Sequence, residues 1–254
     1  MASKAKWLCL LLIPLTGAVV AADETATHDD INPQVVDKLV KMGDYLRSLP
    51  VFRVDAVIER DVVLESGQKI KTLGTSEMEV EGRSHLHARL ETDSLSREFF
   101  YNGKELTQYA PLLKYYSTVK APPKVLDMLH QVEDYYGLQL PMEDLFLFGQ
   151  DQAQIDALKE AVYVGPSAVN GMLCDHLAFR QDGADWQLWV SRAGEPLPCK
   201  LVITTTSDDS RPEYSATYRW NLKPSIKASD FTFTPQKGDT SIPFKKVSAE
   251  GAAK

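Results

Sequence analysis

The sequence lacks the short motifs that mark several common enzyme classes. It has no Gly-x-Ser-x-Gly elbow, no phosphate-binding loop that ends in Gly-Lys-Ser/Thr, and no Gly-x-Gly-x-x-Gly fingerprint. Each absence alone is weak evidence. Together they argue against a serine hydrolase, a P-loop nucleotide-binding enzyme and a dinucleotide-dependent oxidoreductase. We therefore expect a protein that is not an enzyme.

Basic residues are fewer than acidic residues and form no cluster. The 254 residues include 28 Lys and Arg against 35 Asp and Glu, which gives a net charge of −7. An acidic chain without a basic cluster is poorly suited to bind nucleic acids or an anionic membrane surface. We expect no nucleic-acid partner.

A long hydrophobic run occurs only at the N-terminus. Lys4 and Lys6 precede an apolar run over residues 7–20, and the small residues Ala21 and Ala22 follow it. This pattern predicts a secretory signal peptide over residues 1–22, cleaved before Asp23. An uncleaved anchor is the alternative, although the run is short for a transmembrane helix. We expect residues 23–31 to be a flexible leader, 32–244 a single domain and 245–254 a flexible tail.

Cysteine is scarce, and only Cys174 and Cys199 follow the hydrophobic run, which itself contains Cys9. An oxidising compartment favours a disulfide between them. However, the predicted meander places them on two strands separated by a third. Two strand spacings are about 9.6 Å, more than the roughly 7 Å between Cα atoms that a disulfide can span. Two alternatives remain open. The cysteines form a disulfide, which would need strong curvature or another strand order, or they are two separate thiols.

The first half of the mature chain predicts one helix followed by an antiparallel meander. Asn32-Pro33 is a helix start, and apolar residues recur every three or four positions until Pro50. From Val51 the apolar period changes to two, and Gly-containing turns separate successive strands. The Asn102-Gly103 turn predicts a two-residue hairpin in which Phe99 faces Leu106.

A helical insert then interrupts the strands. Apolar periodicity predicts helices over 125–136, 141–148 and 152–161, whose apolar faces would pack on the concave face of a twisted sheet. Strands resume at Val169. Phe231 and Phe233 alternate with threonines and predict a last short strand.

Five segments resemble those of a family of predicted periplasmic proteins of unknown function. They are FFYNGKELTQYAPLLKYYSTVKAPP (99–123), YYGLQLPMEDLF (135–146), CDHLAFRQDGADWQLWV (174–190), PLPCKLVITT (196–205) and PEYSATYRWNL (212–222). The resemblance covers residues 32–244. The family is similar to the lipoprotein-carrier, or LolA/LolB-like, fold. The resemblance implies a periplasmic location and an α+β fold: a curved antiparallel β-sheet, or incomplete barrel, with an N-terminal helix and a mid-chain helical lid on its concave face. It implies no catalytic residues.

An apolar groove between sheet and lid is the binding site that this fold implies. We predict a groove wall of seven side chains: Phe99, Tyr101, Leu106, Leu126, Leu129, Phe146 and Trp220. Aromatic residues on strands fit an ordinary sheet core equally well. His85 and His87 would share one strand face, as zinc ligands can, but only Glu91 joins them there. We expect no catalytic site, no metal and no cofactor.

These features together predict a periplasmic, non-enzymatic binding or carrier protein for a lipid or another apolar ligand. A lipid or a lipoprotein acyl chain is the expected partner. The alternatives are an envelope interaction module that docks to a protein partner by its outer face or a sheet edge, and an unrecognised hydrolase.

Overall fold

The computed structural model of the protein describes residues 30–150 and 152–246. The predicted signal peptide and most of the predicted leader and tail lie outside these residues. The helices are α1 (Pro33–Ser48), α2 (Val125–Tyr136), α3 (Asp144–Leu147) and α4 (Gln152–Asp156). The strands are β1 (Val51–Val63), β2 (Lys69–Glu81), β3 (His85–Thr92), β4 (Ser96–Tyr101), β5 (Glu105–Ala110), β6 (Tyr115–Lys120), β7 (Leu158–Val169), β8 (Met172–Gln181), β9 (Ala184–Ser191), β10 (Pro198–Thr205), β11 (Glu213–Asn221) and β12 (Thr240–Ser241).

Within the described residues, the strands form one sheet in the order β12-β6-β5-β4-β3-β2-β1-β11-β10-β9-β8-β7. Neighbouring strands are antiparallel, except that β12 runs parallel to β6. The central strand β1 pairs with β2 on one side and with β11 on the other. The sheet has two ends and stays open. The predicted α+β fold, an incomplete barrel with an N-terminal helix and a mid-chain helical lid, is confirmed.

Helix α1 begins and packs as its sequence predicts. The Asn32 side chain accepts a hydrogen bond from the backbone N–H of Gln34 at 2.9 Å, and Pro33 occupies the first turn. One stripe of the helix is buried against the sheet: Val35, Leu39, Met42, Gly43 and Leu46. Burying each large apolar side chain contributes about 1.5–3 kcal/mol, so the stripe is enough to hold the helix on the concave face.

The β4–β5 hairpin has a longer loop than its sequence predicts. Tyr101 pairs with Leu106, and the Asn102 side chain accepts hydrogen bonds from the backbone N–H groups of Lys104 (3.1 Å) and Glu105 (3.2 Å). The predicted two-residue turn and the pairing of Phe99 with Leu106 are therefore wrong. The register differs by two residues, an even number, so the same side chains still face the core.

Two elements of the second half differ from the predictions. Helix α4 ends at Asp156, and β7 begins at Leu158, where the sequence predicts that helix to continue to residue 161. The β-branched and aromatic run Val162–Tyr163–Val164 favours a strand and overrides the helical pattern.

The predicted last strand over residues 231–234 is wrong: Phe231 ends a 3₁₀-helix, Ala228–Phe231, and an irregular segment follows that crosses the outer face of the sheet. Phe233 in this segment packs against Phe100, Tyr109 and Tyr116, with ring centroids 4.8–5.5 Å apart. The segment then adds β12 to the edge of β6. It therefore covers apolar side chains that would otherwise face solvent.

Cys174 and Cys199 are joined by a disulfide that crosses strand β9. Pro198 pairs with Val190 and Lys200 with Trp189, which leaves Cys199 as the extra residue of a β-bulge. The bulge and the local twist bring the two Cα atoms to 7.0 Å. The two regular strand spacings assumed from the sequence therefore do not apply at this pair.

We expect the double variant Cys174→Ala/Cys199→Ala to lose about 3 kcal/mol of unfolding free energy, because the bond closes a 25-residue loop in the unfolded chain. Urea denaturation of the variant and the wild type measures the difference in unfolding free energy. A thiol titration of the unfolded wild-type protein shows whether the disulfide has formed. Equal stability together with two free thiols in the exported wild-type protein would contradict the prediction.

Candidate functional site

A cavity of about 250 Å³ lies between the end of α1, the start of α2 and the adjacent ends of β1 and β2. We call it the α2 cavity. Its wall is largely apolar and consists of Leu46, Leu49, Phe52, Val80, Val125, Leu126, Leu145 and Phe146. Its mouth is polar and carries Arg47, Arg83, Lys124 and Asp127.

The start of α2 is tied to the sheet by its backbone. The N–H of Val125 donates a hydrogen bond to the carbonyl of Arg83, in the β2–β3 turn, at 2.8 Å. Val125, Met128, Leu129 and Val132 form the buried stripe of the helix. Leu126 lies beside this stripe and is only half-buried. The helix therefore packs firmly while one of its leucines faces the α2 cavity.

Helix α3 is held on α1 by a close backbone contact. A Cβ atom on Gly43 would collide with the carbonyl oxygen of Phe148, so only glycine permits this approach. Arg47 donates a hydrogen bond from Nη1 to the same oxygen at 2.8 Å. These contacts fix the positions of Leu145 and Phe146. Both side chains reach the α2 cavity on one side of α3, and Asp144 lies on the opposite side.

A second cavity, of about 280 Å³, lies on that opposite side of α3. We call it the β10 cavity. Its lining includes Leu39, Asp144, Leu147, Phe148, Leu158, Trp186, Leu201 and Ile203. Trp186 stacks on Phe179 with ring centroids 3.9 Å apart. Helix α3 therefore separates two largely apolar volumes on the concave side.

The acidic pair at the start of α3 is poorly solvated. Burial raises the pKa of Glu143 to about 7, although a hydrogen bond from the N–H of Leu140 (2.9 Å) favours the charged form. Burial also raises the pKa of Asp144. Tyr218 is buried nearby, and its hydroxyl has no hydrogen-bond partner among the described residues. Burial, with smaller contributions from Tyr214 and Asp144, raises the pKa of Tyr218.

The cations at the mouth of the α2 cavity differ in their partners. Arg47 pairs with Asp44 at 2.8 Å and also donates to Phe148. The side chains of Arg83 and Lys124 are exposed and form no hydrogen bond or ion pair with any other residue that the structure describes. The mouth therefore has two basic groups without partners.

The structure brings two of the seven predicted groove residues together in a cavity. Leu126 and Phe146 both line the α2 cavity. Phe99, Tyr101, Leu106 and Leu129 lie in the packed core and are at most 3% exposed. Trp220 is half-buried and donates a hydrogen bond from Nε1 to the carbonyl of Pro198 at 2.8 Å. The other apolar residues of the wall belong to the buried faces of α1, β1, β2, α2 and α3, which the sequence marks only as core.

The two histidines of β3 are engaged by their neighbours. His87 stacks on Phe100, with centroids 4.7 Å apart, and lies between Glu79 (3.9 Å) and Glu98 (3.7 Å). His85 contacts Phe231. In the described part of the chain, no group of three or more His, Cys, Asp or Glu residues is arranged to hold a metal ion.

Residues 36–245 match the model of the DUF2092 family, which is described as predicted periplasmic protein. This description confirms the periplasmic location predicted from the sequence. No curated protein matches the chain. Among the described residues, no helix is long and apolar enough to cross a bilayer.

Several solved structures are similar to the chain at low sequence identity. Mycobacterium tuberculosis lipoprotein LppX is 11% identical, with 77% of this chain and 100% of that chain covered and a TM-score of 0.49. An uncharacterised conserved protein from Thermus thermophilus is 9% identical, with 83% and 98% covered and a TM-score of 0.45. A chain of the MucA/MucB complex of Pseudomonas aeruginosa is 16% identical, with a TM-score of 0.43. The match covers 79% of this chain and 63% of that chain, which is less than two thirds of its length.

We expect the free energy of unfolding to fall as pH rises from 5 to 8, with part of this fall due to Glu143. Its raised pKa of about 7 means that the folded protein keeps a proton that the unfolded chain has released above about pH 4.5. The variant Glu143→Gln, which keeps an acceptor for Leu140, should show a smaller fall. Urea denaturation at several pH values measures the difference.

The matched control is Glu105→Gln, at the exposed first position of β5. It should retain the wild-type pH dependence. Asp61 does not interfere with this comparison. The hydrogen bond that it accepts from Lys71 lowers its pKa, so its contribution to the free energy of unfolding is lost only in more acidic solution. Identical slopes for Glu143→Gln and wild type would contradict the assignment.

Proposed function

Since this protein belongs to the DUF2092 family of predicted periplasmic proteins, we propose that it is a non-enzymatic binding protein that holds an acyl chain or another apolar group in the α2 cavity. The observation that carries the proposal is an apolar cavity whose mouth is exposed. Protein interiors are close-packed, and a void of this size forfeits dispersion contacts along its whole wall. An apolar ligand restores those contacts.

The size and chemistry of the cavity support a short alkyl segment. A dry apolar cavity of about 150 Å³ can hold benzene, and the α2 cavity measures about 250 Å³. Each buried methylene contributes about 0.8 kcal/mol, so a few of them give useful affinity. The exposed side chains of Arg83 and Lys124 mark the end that faces solvent. A ligand can therefore enter with its chain first and leave a polar end outside.

Docking of an envelope protein is the second candidate function, and one surface favours it. Val162, Tyr163 and Val164 are 39–55% exposed on β7, the strand at one end of the sheet. An extended segment of a partner could add to such an edge. Pro166 and the bulge at Val164 limit how far the pairing could extend. The α2 cavity therefore gives the stronger proposal.

We expect Leu126→Trp to weaken binding of a fluorescent dodecyl probe about tenfold, because the indole displaces the equivalent of about two buried methylenes. Fluorescence titration of delipidated protein measures the affinity. The matched control is Leu112→Trp, which adds the same ring at a position that is 68% exposed between β5 and β6. The control should bind as wild type does.

The same protein can be tested for its natural ligand. Protein purified from its own periplasm should release an amphiphile on extraction with organic solvent, and native mass spectrometry should show the matching complex. Ligand-free protein that also fails to bind the dodecyl probe would contradict the proposed function. Melting temperatures of both tryptophan variants separate a filled cavity from a damaged fold.

A further inference from the structure

We propose that the α2 cavity selects single-chain amphiphiles with an anionic head group, which Arg83 and Lys124 bind at the mouth. This inference rests on the proposed function and adds the charge of the ligand. The shared chemistry is a phosphate or carboxylate attached to an alkyl chain.

The two basic residues are held at the same part of the mouth. Arg83 lies in the turn between β2 and β3, and Lys124 immediately precedes α2. The hydrogen bond from Val125 N–H to the carbonyl of Arg83 joins these two segments. Both residues border the cavity whose wall includes Leu126 and Phe146. A chain bound against those apolar side chains would place its polar end within reach of both cations.

Arg83 and Lys124 form no ion pair with any residue that the structure describes, although other cations of this protein do. The chain carries a net charge of −7, so basic groups have many carboxylates available. On the sheet, Lys71 pairs with Asp61 at 2.9 Å and Arg180 pairs with Asp185 at 2.7 Å. At the cavity mouth, Asp127 is the one carboxylate among the described lining residues and has no ion pair with Lys124 or Arg83.

The charge balance at the mouth therefore favours an anion. Two basic side chains without partners face one carboxylate, while Arg47 is already neutralised by Asp44. The planar guanidinium of arginine suits two oxygens of a phosphate or carboxylate, and lysine adds a mobile point charge. A cationic head group would be repelled, and a neutral one would gain only from burial of its chain.

Four probes separate the contribution of the chain from that of the charge. Isothermal titration calorimetry at low salt, below the critical micelle concentrations, would compare dodecyl phosphate, dodecanol, dodecyltrimethylammonium and inorganic phosphate. We expect dodecyl phosphate to bind about five- to tenfold more tightly than dodecanol, since two exposed charge pairs each add a modest amount. The advantage should shrink in high salt, which screens exposed charges.

The variant Arg83→Gln/Lys124→Gln should lose that advantage and keep the affinity for dodecanol. The control Lys223→Gln/Lys237→Gln removes the same charge from two exposed positions that do not border the cavity, and it should bind all probes as wild type does. The comparison therefore removes any effect of net charge alone.

The outcomes distinguish this inference from the proposed function. Equal binding of dodecyl phosphate and dodecanol would overturn the head-group inference and leave the apolar site intact. Failure of every dodecyl probe to bind would overturn both. Inorganic phosphate that binds as tightly as dodecyl phosphate would show a site for a free anion and would also overturn the inference.

Discussion

The pairing of β1 with β11 is the contact on which the rest of the molecule depends. It joins residues about 160 positions apart, from Arg53 opposite Asn221 to Arg60 opposite Tyr214. Without this ladder, β1–β6 and β7–β11 would be two separate meanders. With it, they become one curved surface. Helix α1 packs on the concave side, and the two cavities lie on either side of α3.

Local sequence patterns were sufficient for most elements of this fold. The period of three to four residues in α1 and the period of two in β1 are both consequences of a single buried face, and the structure confirms both. The patterns failed where two signals compete. Residues 157–161 continue a helical pattern, but the β-branched run that follows draws the chain into β7. The bulge at Cys199 leaves no local signal, because it depends on how β9 and β10 align.

The candidate site was less predictable than the fold, for a physical reason. Alternation identifies which side chains face inward, and Phe99, Tyr101 and Leu106 do face inward. It does not say whether the volume in front of them is filled. That depends on where the helices pack, which is set by contacts between distant residues such as Gly43 and Phe148. Leu126 and Phe146 belong to the insert itself, and they border the volume that the insert leaves unfilled.

The open sheet has two ends, and another segment of the chain covers part of each end. An open sheet leaves edge strands, and exposed edges promote aggregation by pairing between molecules. At β6 the chain covers the edge itself, because Thr240 donates to the carbonyl of Lys114 (2.8 Å) and Ile242 to that of Tyr116 (2.9 Å). At β7, the segment before α1 covers part of the edge, because Ala161 donates to the carbonyl of Asp30 (2.7 Å) and Asn32 donates to that of Ala161 (2.9 Å). Further along β7, Val164 forms a bulge and Pro166 has no N–H to donate. Both ends thus limit self-association by pairing with a short segment of the same chain, and β7 adds a bulge and a proline to this protection.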